Sequence, residues 1–293
     1  MSGFLERLQS GEILVSDGAT GTNLQKVGLT GGAIPEGWVL DQPAKILALA
    51  QSFVDAGSDI ILTCTFGGTR LRMRESPLAQ KVEEINRRAA ELAREVASKR
   101  TGVLVGGSLG PTGLLLKPYG PMTYEEAAAT YEEQVRGLIA GGVDLLVIET
   151  HFALDEAKAA LEGARRVTDL PAVVSFGYDR PTRTMMGVKP SDVARTFLPL
   201  GAAAIGANCG TTLENMELIL GEYKVAAPDA FLWVKPNAGM PEMGDDGQAV
   251  YKVTPEGMGE FAKKYVAAGA RIVGGCCGST PEHVAAIVKA VKG

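Results

Sequence analysis

Short apolar runs alternate with helical patterns eight times along this chain, and this alternation restricts the possible folds more than any other feature. The runs are rich in valine and isoleucine, which is typical of parallel strands buried on both faces. They cover residues 13–18, 59–63, 103–106, 145–149, 172–176, 203–207, 231–234 and 271–274. The helical patterns cover residues 43–56, 79–99, 124–140, 154–167, 190–200, 212–223, 255–268 and 281–291. Eight strands alternating with eight helices predict an α/β fold, the (β/α)8 TIM barrel.

Size and charge fit that prediction and exclude several other classes of protein. The chain has 293 residues, and no shift in composition marks a second domain, so we expect one barrel domain over residues 1–293. Its net charge is −5 with acids and bases interspersed, which argues against a nucleic-acid-binding surface. The N-terminus lacks the apolar core of a signal peptide, and no apolar run approaches the length of a membrane span. We therefore expect a soluble, cytoplasmic protein.

Polar residues follow almost every predicted strand. In a (β/α)8 barrel the active site lies at the carboxyl ends of the strands, so these residues are the candidates for function. They include Asp17, Gly18, Thr65, Glu149, Asn208, Lys235 and Asn237.

Three cysteines occupy equivalent places at strand ends. Cys209 follows the sixth strand, and Cys276 and Cys277 follow the eighth, where Gly275 and Gly278 flank them. Adjacent strand residues point to opposite faces, but neighbouring glycines allow backbone angles that bring both sulfurs to one centre. Three thiolates without an obvious fourth ligand are typical of a zinc site with one position left for a substrate.

Other interpretations of the cysteines remain open at this point. Most buried cysteines only fill space in a core. A disulfide between Cys276 and Cys277 would be strained, and nothing in the sequence indicates secretion. A closed structural zinc site would need a fourth ligand, for which Cys64 is the candidate, since His151 and His283 are interpreted as ordinary residues.

The strand-end motifs, taken together, resemble those of the homocysteine S-methyltransferase family. They also resemble the homocysteine-binding modules of cobalamin-dependent methionine synthases. The resemblance runs in a fixed order from Gly11 to the last helix. It rests on Asp17-Gly18-Ala19-Thr20-Gly21, Thr63-x-Thr65-Phe66-Gly67, Gly110-Pro111-Thr112-Gly113, Glu149-Thr150, Asn208-Cys209, Pro236-Asn237-Ala238-Gly239 and Gly274-Gly275-Cys276-Cys277-Gly278-x-Thr280-Pro281.

This resemblance implies a zinc-dependent enzyme that transfers a methyl group to the sulfur of homocysteine and so forms methionine. It implies that the zinc ligands are the three cysteines and that Asn237 holds the fourth position until the substrate thiol displaces it. Glu149 would receive the substrate ammonium group. The remaining residues of the amino-acid pocket would be Asp17, Gly18, Thr65 and Asn208.

Two of these roles also follow from the residues themselves. An ordinary thiol is mostly protonated at neutral pH, and coordination to Zn²⁺ removes that proton, so the coordinated thiolate can attack a methyl group. Glu149 closes an otherwise apolar strand, and burying a carboxylate without a partner is unfavourable. A cationic substrate group would supply that partner.

Two departures from the family pattern leave the acceptor open. Cys64 stands where asparagine is usual, and Lys235 stands where an acid is expected before Pro236. They leave open an alternative activity, in which the enzyme moves a methyl group between a small methylated substrate and a corrinoid protein.

We expect the methyl donor to come from outside the chain. We expect a methylated corrinoid, carried by a separate protein, because a quaternary ammonium donor such as betaine usually requires a cage of aromatic rings. The chain has only two tryptophans, of which Trp38 lies in the loop after the first strand. Betaine and S-methylmethionine are the alternative donors.

Overall fold

The structure is a computed structural model that describes residues 3–244 and 249–293. Ten strands are present in the described residues. They are β1 (Leu14–Val15), β2 (Ile60–Leu62), β3 (Leu104–Leu109), β4 (Leu145–His151), β5 (Ala172–Phe176), β6 (Ala204–Asn208), β7 (Leu232–Lys235), β8 (Glu242–Met243), β9 (Ala249–Val250) and β10 (Ala270–Val273). All but β8 and β9, which pair with each other, coincide with the predicted strands to within a few residues.

Eight helices follow the eight predicted patterns, and three shorter ones precede them. The eight are α4 (Pro43–Asp55), α5 (Val82–Ala97), α6 (Tyr124–Ala140), α7 (Leu154–Arg165), α8 (Pro190–Phe197), α9 (Leu213–Ala226), α10 (Pro255–Ala267) and α11 (Pro281–Lys292). The sequence did not predict α1 (Phe4–Gln9), α2 (Gly21–Lys26) and α3 (Trp38–Asp41), nor the 3₁₀ helices Pro35–Gly37 and Pro77–Gln80. Among the described helices, none is both long and apolar enough to cross a bilayer.

The eight main strands form one parallel sheet in the order β1-β10-β7-β6-β5-β4-β3-β2. A parallel bridge between Ser16 and Ile60 joins its two edges, and the Asp17 amide donates to the Ile60 carbonyl. The sheet therefore curls into a barrel whose strands alternate with helices. The predicted (β/α)8 barrel is confirmed.

The barrel interior follows the two-residue period of its strands. One apolar cluster fills the amino-terminal part of the interior: Phe4, Leu8, Leu14, Ile60, Leu104, Leu145, Val147, Val173, Ala204, Trp233 and Ile272. Glu149 is two residues after Val147 on β4, and Lys235 is two residues after Trp233 on β7. Side chains two apart on a strand point to the same face, so Glu149 and Lys235 also face the interior, at its carboxyl end. The helix α1 contributes Phe4 and Leu8 to this cluster, so it covers the amino-terminal end of the barrel. Only the carboxyl end is left for a site.

Glycines allow the outer helices to approach one another closely. A Cβ atom on Gly163, in α7, would lie 2.2 Å from the carbonyl oxygen of Ala128 in α6. By contrast, a Cβ atom on Gly221, in α9, would meet nothing within 4 Å. Both glycines lie inside helices, where alanine is intrinsically favoured by about 1 kcal/mol.

We therefore expect opposite effects when these two glycines are replaced with alanine. Gly163→Ala should destabilise the protein by about 1–3 kcal/mol, the usual range for overpacking. Gly221→Ala should stabilise it by about 0.4–1 kcal/mol. Chemical denaturation of both variants measures the difference, and equal effects at the two positions would show that helix contact at Gly163 does not matter.

Candidate metal centre and substrate cavity

The three cysteine sulfurs converge at the carboxyl end of the barrel. The Sγ atom of Cys209 lies 2.6 Å from that of Cys276 and 3.7 Å from that of Cys277. All three lie within 4.8 Å of one another, and the described residues contain no other group of three metal-binding side chains. Cys64 is not a member, so the closed four-cysteine site lacks its candidate fourth ligand.

Unusual backbone geometry produces this convergence. Cys209 has φ +55°, in the left-handed region that residues with side chains rarely adopt. After β10 the chain turns sharply, and Gly278 has φ +81°. The Cys276 amide donates to the Pro236 carbonyl, and the Cys277 carbonyl accepts from the Ala238 amide, so the turn is tied to the end of β7. Backbone strain of this kind clusters at functional sites.

The donor set fits a thiophilic metal ion. Hydrogen bonds to Cys276 and Cys277, together with burial, raise the pKa of the Cys209 thiol well above its ordinary value. Three thiols this close cannot all ionise unless a cation compensates their charge. The buried Oδ1 atom of Asn237 has no hydrogen-bond partner among the described residues, and the next residue, Ala238, donates to the Cys277 carbonyl. A metal ion would compensate the charge of these three sulfurs.

A cavity of about 570 Å³ opens directly onto the sulfurs. Its walls come from the ends of several strands and from the loop before α3. The lining includes Gly18, Glu36, Cys64, Thr65, Phe66, Arg72, Ser108, Glu149, Cys209, Lys235, Cys276 and Cys277. The cavity is larger than a small amino acid needs, so its outer part has room for a second molecule.

Glu149 brings a carboxylate to this cavity. Its Oε1 atom accepts a hydrogen bond of 2.6 Å from the Ser108 hydroxyl. Burial raises the pKa of Glu149 to about 7, although the charge of Lys235 acts in the opposite direction. The charge of this carboxylate is therefore compensated only in part by the groups around it.

Asp17, to which the resemblance gives a substrate-binding role, forms an ion pair with a lysine of the barrel interior. Its side chain is not part of the main cavity wall. Instead its Oδ1 atom accepts from Lys235 Nζ at 2.7 Å and from the Ser16 hydroxyl at 3.2 Å, and its Oδ2 atom accepts from the Leu62 amide at 2.7 Å. The ion pair is buried, with both side chains 3% exposed.

The other three predicted pocket residues lie in or beside the cavity wall. Gly18 lines the cavity, and a Cβ atom there would lie 2.7 Å from the ring of Phe53. Thr65 also lines it and donates to the Ser108 carbonyl at 2.8 Å.

Asn208 lies behind the wall and organises the turn at the end of β4. Its side-chain oxygen accepts from the Thr150 amide at 3.0 Å and from the Ser175 hydroxyl at 2.6 Å. Its amide nitrogen donates to the Thr150 hydroxyl at 2.6 Å and lies 3.9 Å from the sulfur of Cys276. Thr150 has φ +62°, so Asn208 holds it in a strained conformation.

Sequence reasoning missed several residues of the site. Ser108 was not a candidate, although it is on β3 at a position whose side chain faces the barrel interior, where its hydroxyl donates to Glu149. Tyr251 packs against Gly278 of the cysteine turn, and its loop carries no sequence signal. Glu36 lines the outer cavity, and its Oε1 atom accepts from the Gly67 amide at 2.5 Å. Of the two histidines, His283 caps α11 and His151 is buried beside Tyr131.

Fold and site together define a (β/α)8 barrel with a candidate thiolate metal centre at the carboxyl ends of its strands. A profile of the family described as homocysteine S-methyltransferase matches residues 14–291. The chain therefore belongs to the homocysteine S-methyltransferase family. The resemblance seen in its strand-end motifs is confirmed.

Individual relatives agree with that membership. A methionine synthase from Mycobacterium leprae is 31% identical over 295 residues, which is 95% of this chain but 24% of that protein. This chain thus spans about a quarter of that relative.

Solved structures of similar proteins match almost the whole chain. The oxidized form of the homocysteine methyltransferase MmuM from Escherichia coli superposes with a TM-score of 0.81 at 25% identity, covering 96% of this chain and 97% of that one. The metallated form of the same protein gives a TM-score of 0.79 over 96% of both chains. A methyltransferase from Methanosarcina mazei, at 13% identity and a TM-score of 0.63, shares the fold.

Proposed function

We propose that this protein methylates homocysteine to methionine at a zinc ion held by Cys209, Cys276 and Cys277. The observation that carries the proposal is the convergence of three sulfurs within 4.8 Å at the wall of the cavity that also contains Glu149. Family membership supports the reaction class, and the metallated form of the Escherichia coli relative supports a metal in this fold.

The protein's own residues have separable roles in this reaction. Zn²⁺, when bound, lowers the pKa of a coordinating thiol, so the substrate sulfur is available as thiolate at neutral pH. Asn237 Oδ1 would hold the fourth ligand position in the absence of substrate. Glu149 would bind the substrate ammonium, which aims the thiol at the three cysteines. Ser108 and Thr65 would keep Glu149 and the wall in place through their hydrogen bonds.

The methyl transfer itself requires positioning rather than proton transfer at carbon. The substrate sulfur forms a bond to the methyl carbon while the bond between that carbon and the donor breaks, and the donor keeps the electron pair. Nucleophile, carbon and leaving group must lie in line, which is an orientation effect. The outer part of the cavity, between Phe66 and Arg72, is where the donor would approach.

We favour a methylated corrinoid on a separate carrier protein as the donor. In the described residues Phe66 is the only aromatic side chain of the cavity wall, and Trp38, Tyr119 and Tyr178 lie outside that wall. One ring is a poor cage for a quaternary ammonium group. The 31% identity to part of a methionine synthase supports the same choice.

A donor panel tests this function. Zinc-loaded protein should convert homocysteine to methionine with methylcobalamin or a methylated corrinoid protein, and conversion should be slower or absent with betaine and S-methylmethionine. Product formation is followed by mass spectrometry, with metal-depleted protein as the control. Turnover with an onium donor alone would reject the corrinoid, and no methionine with any donor would reject the proposed acceptor.

A further inference from the structure

Lys235 is a buried lysine in the wall of the cavity. It ends β7, and its side chain follows Trp233 on the inward face of the barrel, with Nζ 5.7 Å from the Trp233 ring centroid. Its side chain is 3% exposed, yet it lines the same cavity as Glu149 and Cys276. A lysine is rarely buried to this degree unless an anion accompanies it.

Asp17 is that anion, and it fixes the position of the lysine. Both carboxylate oxygens of Asp17 are engaged by protein groups, one by Lys235 Nζ and the other by the Leu62 amide. Asp17 is therefore committed to the protein interior and is poorly placed to bind a substrate ammonium. Its role is to hold the Lys235 ammonium in one place at the cavity wall.

The Lys235 ammonium keeps hydrogen-bonding capacity for a ligand. An ammonium group has three N–H donors, and among the described residues Asp17 is its one hydrogen-bond acceptor. Glu149 faces the same cavity, but the two residues form no ion pair within 4.0 Å. The wall thus presents a cation and an anion side by side that do not neutralise each other directly.

An α-amino acid carries the complementary pair of charges on one carbon atom. We infer that Lys235 binds the α-carboxylate of the amino-acid substrate while Glu149 binds its ammonium group, so that the cavity selects zwitterionic thiols. This inference rests on the proposed function and specifies how the acceptor is chosen. It gives Asp17 the role of a positioning residue, which acts through Lys235 rather than by contact with substrate.

A purely structural role for Lys235 predicts something different. If the lysine only neutralised Asp17, its replacement would change stability but not the preference for a carboxylate. The two possibilities are separated by ligands that lack one charge. These are L-methionine, 3-(methylthio)propylamine, which lacks the carboxylate, and 4-(methylthio)butanoate, which lacks the ammonium.

The experiment is calorimetric titration of these three ligands into zinc-loaded protein. Wild-type protein should bind L-methionine about 30-fold or more tightly than the amine, because the amine leaves a buried charge unpaired. In Lys235→Met this ratio should fall to within about threefold. KM for homocysteine should rise in the same variant more than kcat falls.

Two further variants serve as controls for this experiment. Lys263→Met removes an exposed lysine that pairs with Glu260 on α10, and its ligand ratio should equal that of wild type. If Lys235→Met does not fold because Asp17 is left unpaired, the double variant Asp17→Asn/Lys235→Met removes both charges and should show the same loss of preference. Zinc content is measured for each variant.

An unchanged ratio of methionine to amine affinity in either Lys235 variant would overturn the inference. Failure of the proposed function is a separate outcome. A wild-type protein that binds methionine with the predicted preference but methylates no thiol would reject the reaction and leave the role of Lys235 standing. A protein that methylates homocysteine and the carboxylate-free thiol with equal KM would reject the role of Lys235 alone.

Discussion

Replacing Cys276 with alanine is expected to remove the metal and with it methyl transfer. Wild-type protein should contain about one zinc ion per chain, held by three thiolates as in other open zinc sites. With only Cys209 and Cys277 left, the site loses one of three anionic ligands, and zinc content after dialysis should fall close to zero. Methionine formation should fall by about 30-fold or more, since a free thiol with a pKa near 8.5 is only a few per cent ionised at neutral pH.

Cys64→Ala is the matched control for this experiment. Cys64 is the fourth cysteine of the chain and lines the same cavity, but it packs in an apolar cluster outside the group of three sulfurs. This variant should keep its zinc and most of its activity. Elemental analysis and a thiol-reactivity assay measure both proteins. Full zinc retention in Cys276→Ala, or equal loss in Cys64→Ala, would contradict the assignment of the ligands.

Replacing Glu149 with glutamine is expected to weaken amino-acid binding while the metal stays. Glutamine keeps the shape and the contact with Ser108 but removes the charge that would face the substrate ammonium. Loss of one partner from a buried charge pair costs about 2–5 kcal/mol. At 1.4 kcal/mol per factor of ten, this corresponds to roughly 30-fold to several thousandfold in the Kd for methionine.

The same residue predicts how wild-type binding depends on pH. Burial raises the pKa of Glu149 to about 7 in the substrate-free protein, so below that pH the carboxyl is increasingly neutral and cannot attract an ammonium group. Affinity for methionine should therefore be highest above about pH 7 and should decline as the pH falls towards 5.5. Glu149→Gln should lack this decline.

Glu156→Gln supplies the control for both measurements. Glu156 is equally buried, but its Oε1 atom accepts from the Thr112 amide at 2.8 Å, and it does not line the cavity. That variant should lose stability without losing affinity for methionine. Unchanged affinity in Glu149→Gln, or a loss as large in Glu156→Gln, would argue that Glu149 is a structural acid.

The main strands and helices of the barrel could be predicted because each one has a recognisable pattern in its own stretch of sequence. Continuous apolar runs and amphipathic repeats are properties of short windows, so the eight barrel strands and their helices were found within a few residues. The short helices α1, α2 and α3 were not predicted, because a segment of four to six residues is too short to show such a pattern. The helix α1 has six residues, too few for a periodic signal, and its packing under the barrel is a long-range contact.

The candidate site was only partly predictable. The strand-end positions of Cys209, Cys276 and Cys277 follow from the barrel, because the carboxyl ends of all strands meet on one face. That three sulfurs point to one centre depends on the left-handed backbone of Cys209 and on the turn after β10. Sequence patterns indicate that glycines permit such angles, but they do not state which direction a side chain takes.

By itself, the sequence determined the barrel, the face that carries the chemistry and the family to which the chain belongs. Only the tertiary structure decided the charges at the cavity wall. Lys235 and Asp17 are 218 positions apart, and their buried ion pair forms because β7 and the end of β1 converge on the barrel interior. A contact over that separation leaves no periodicity in the sequence, whereas the desolvated interior makes the pairing of the two charges nearly obligatory. That pairing occupies Asp17 within the protein and leaves Glu149 as a carboxylate of the cavity wall that has no ion-pair partner among the described residues.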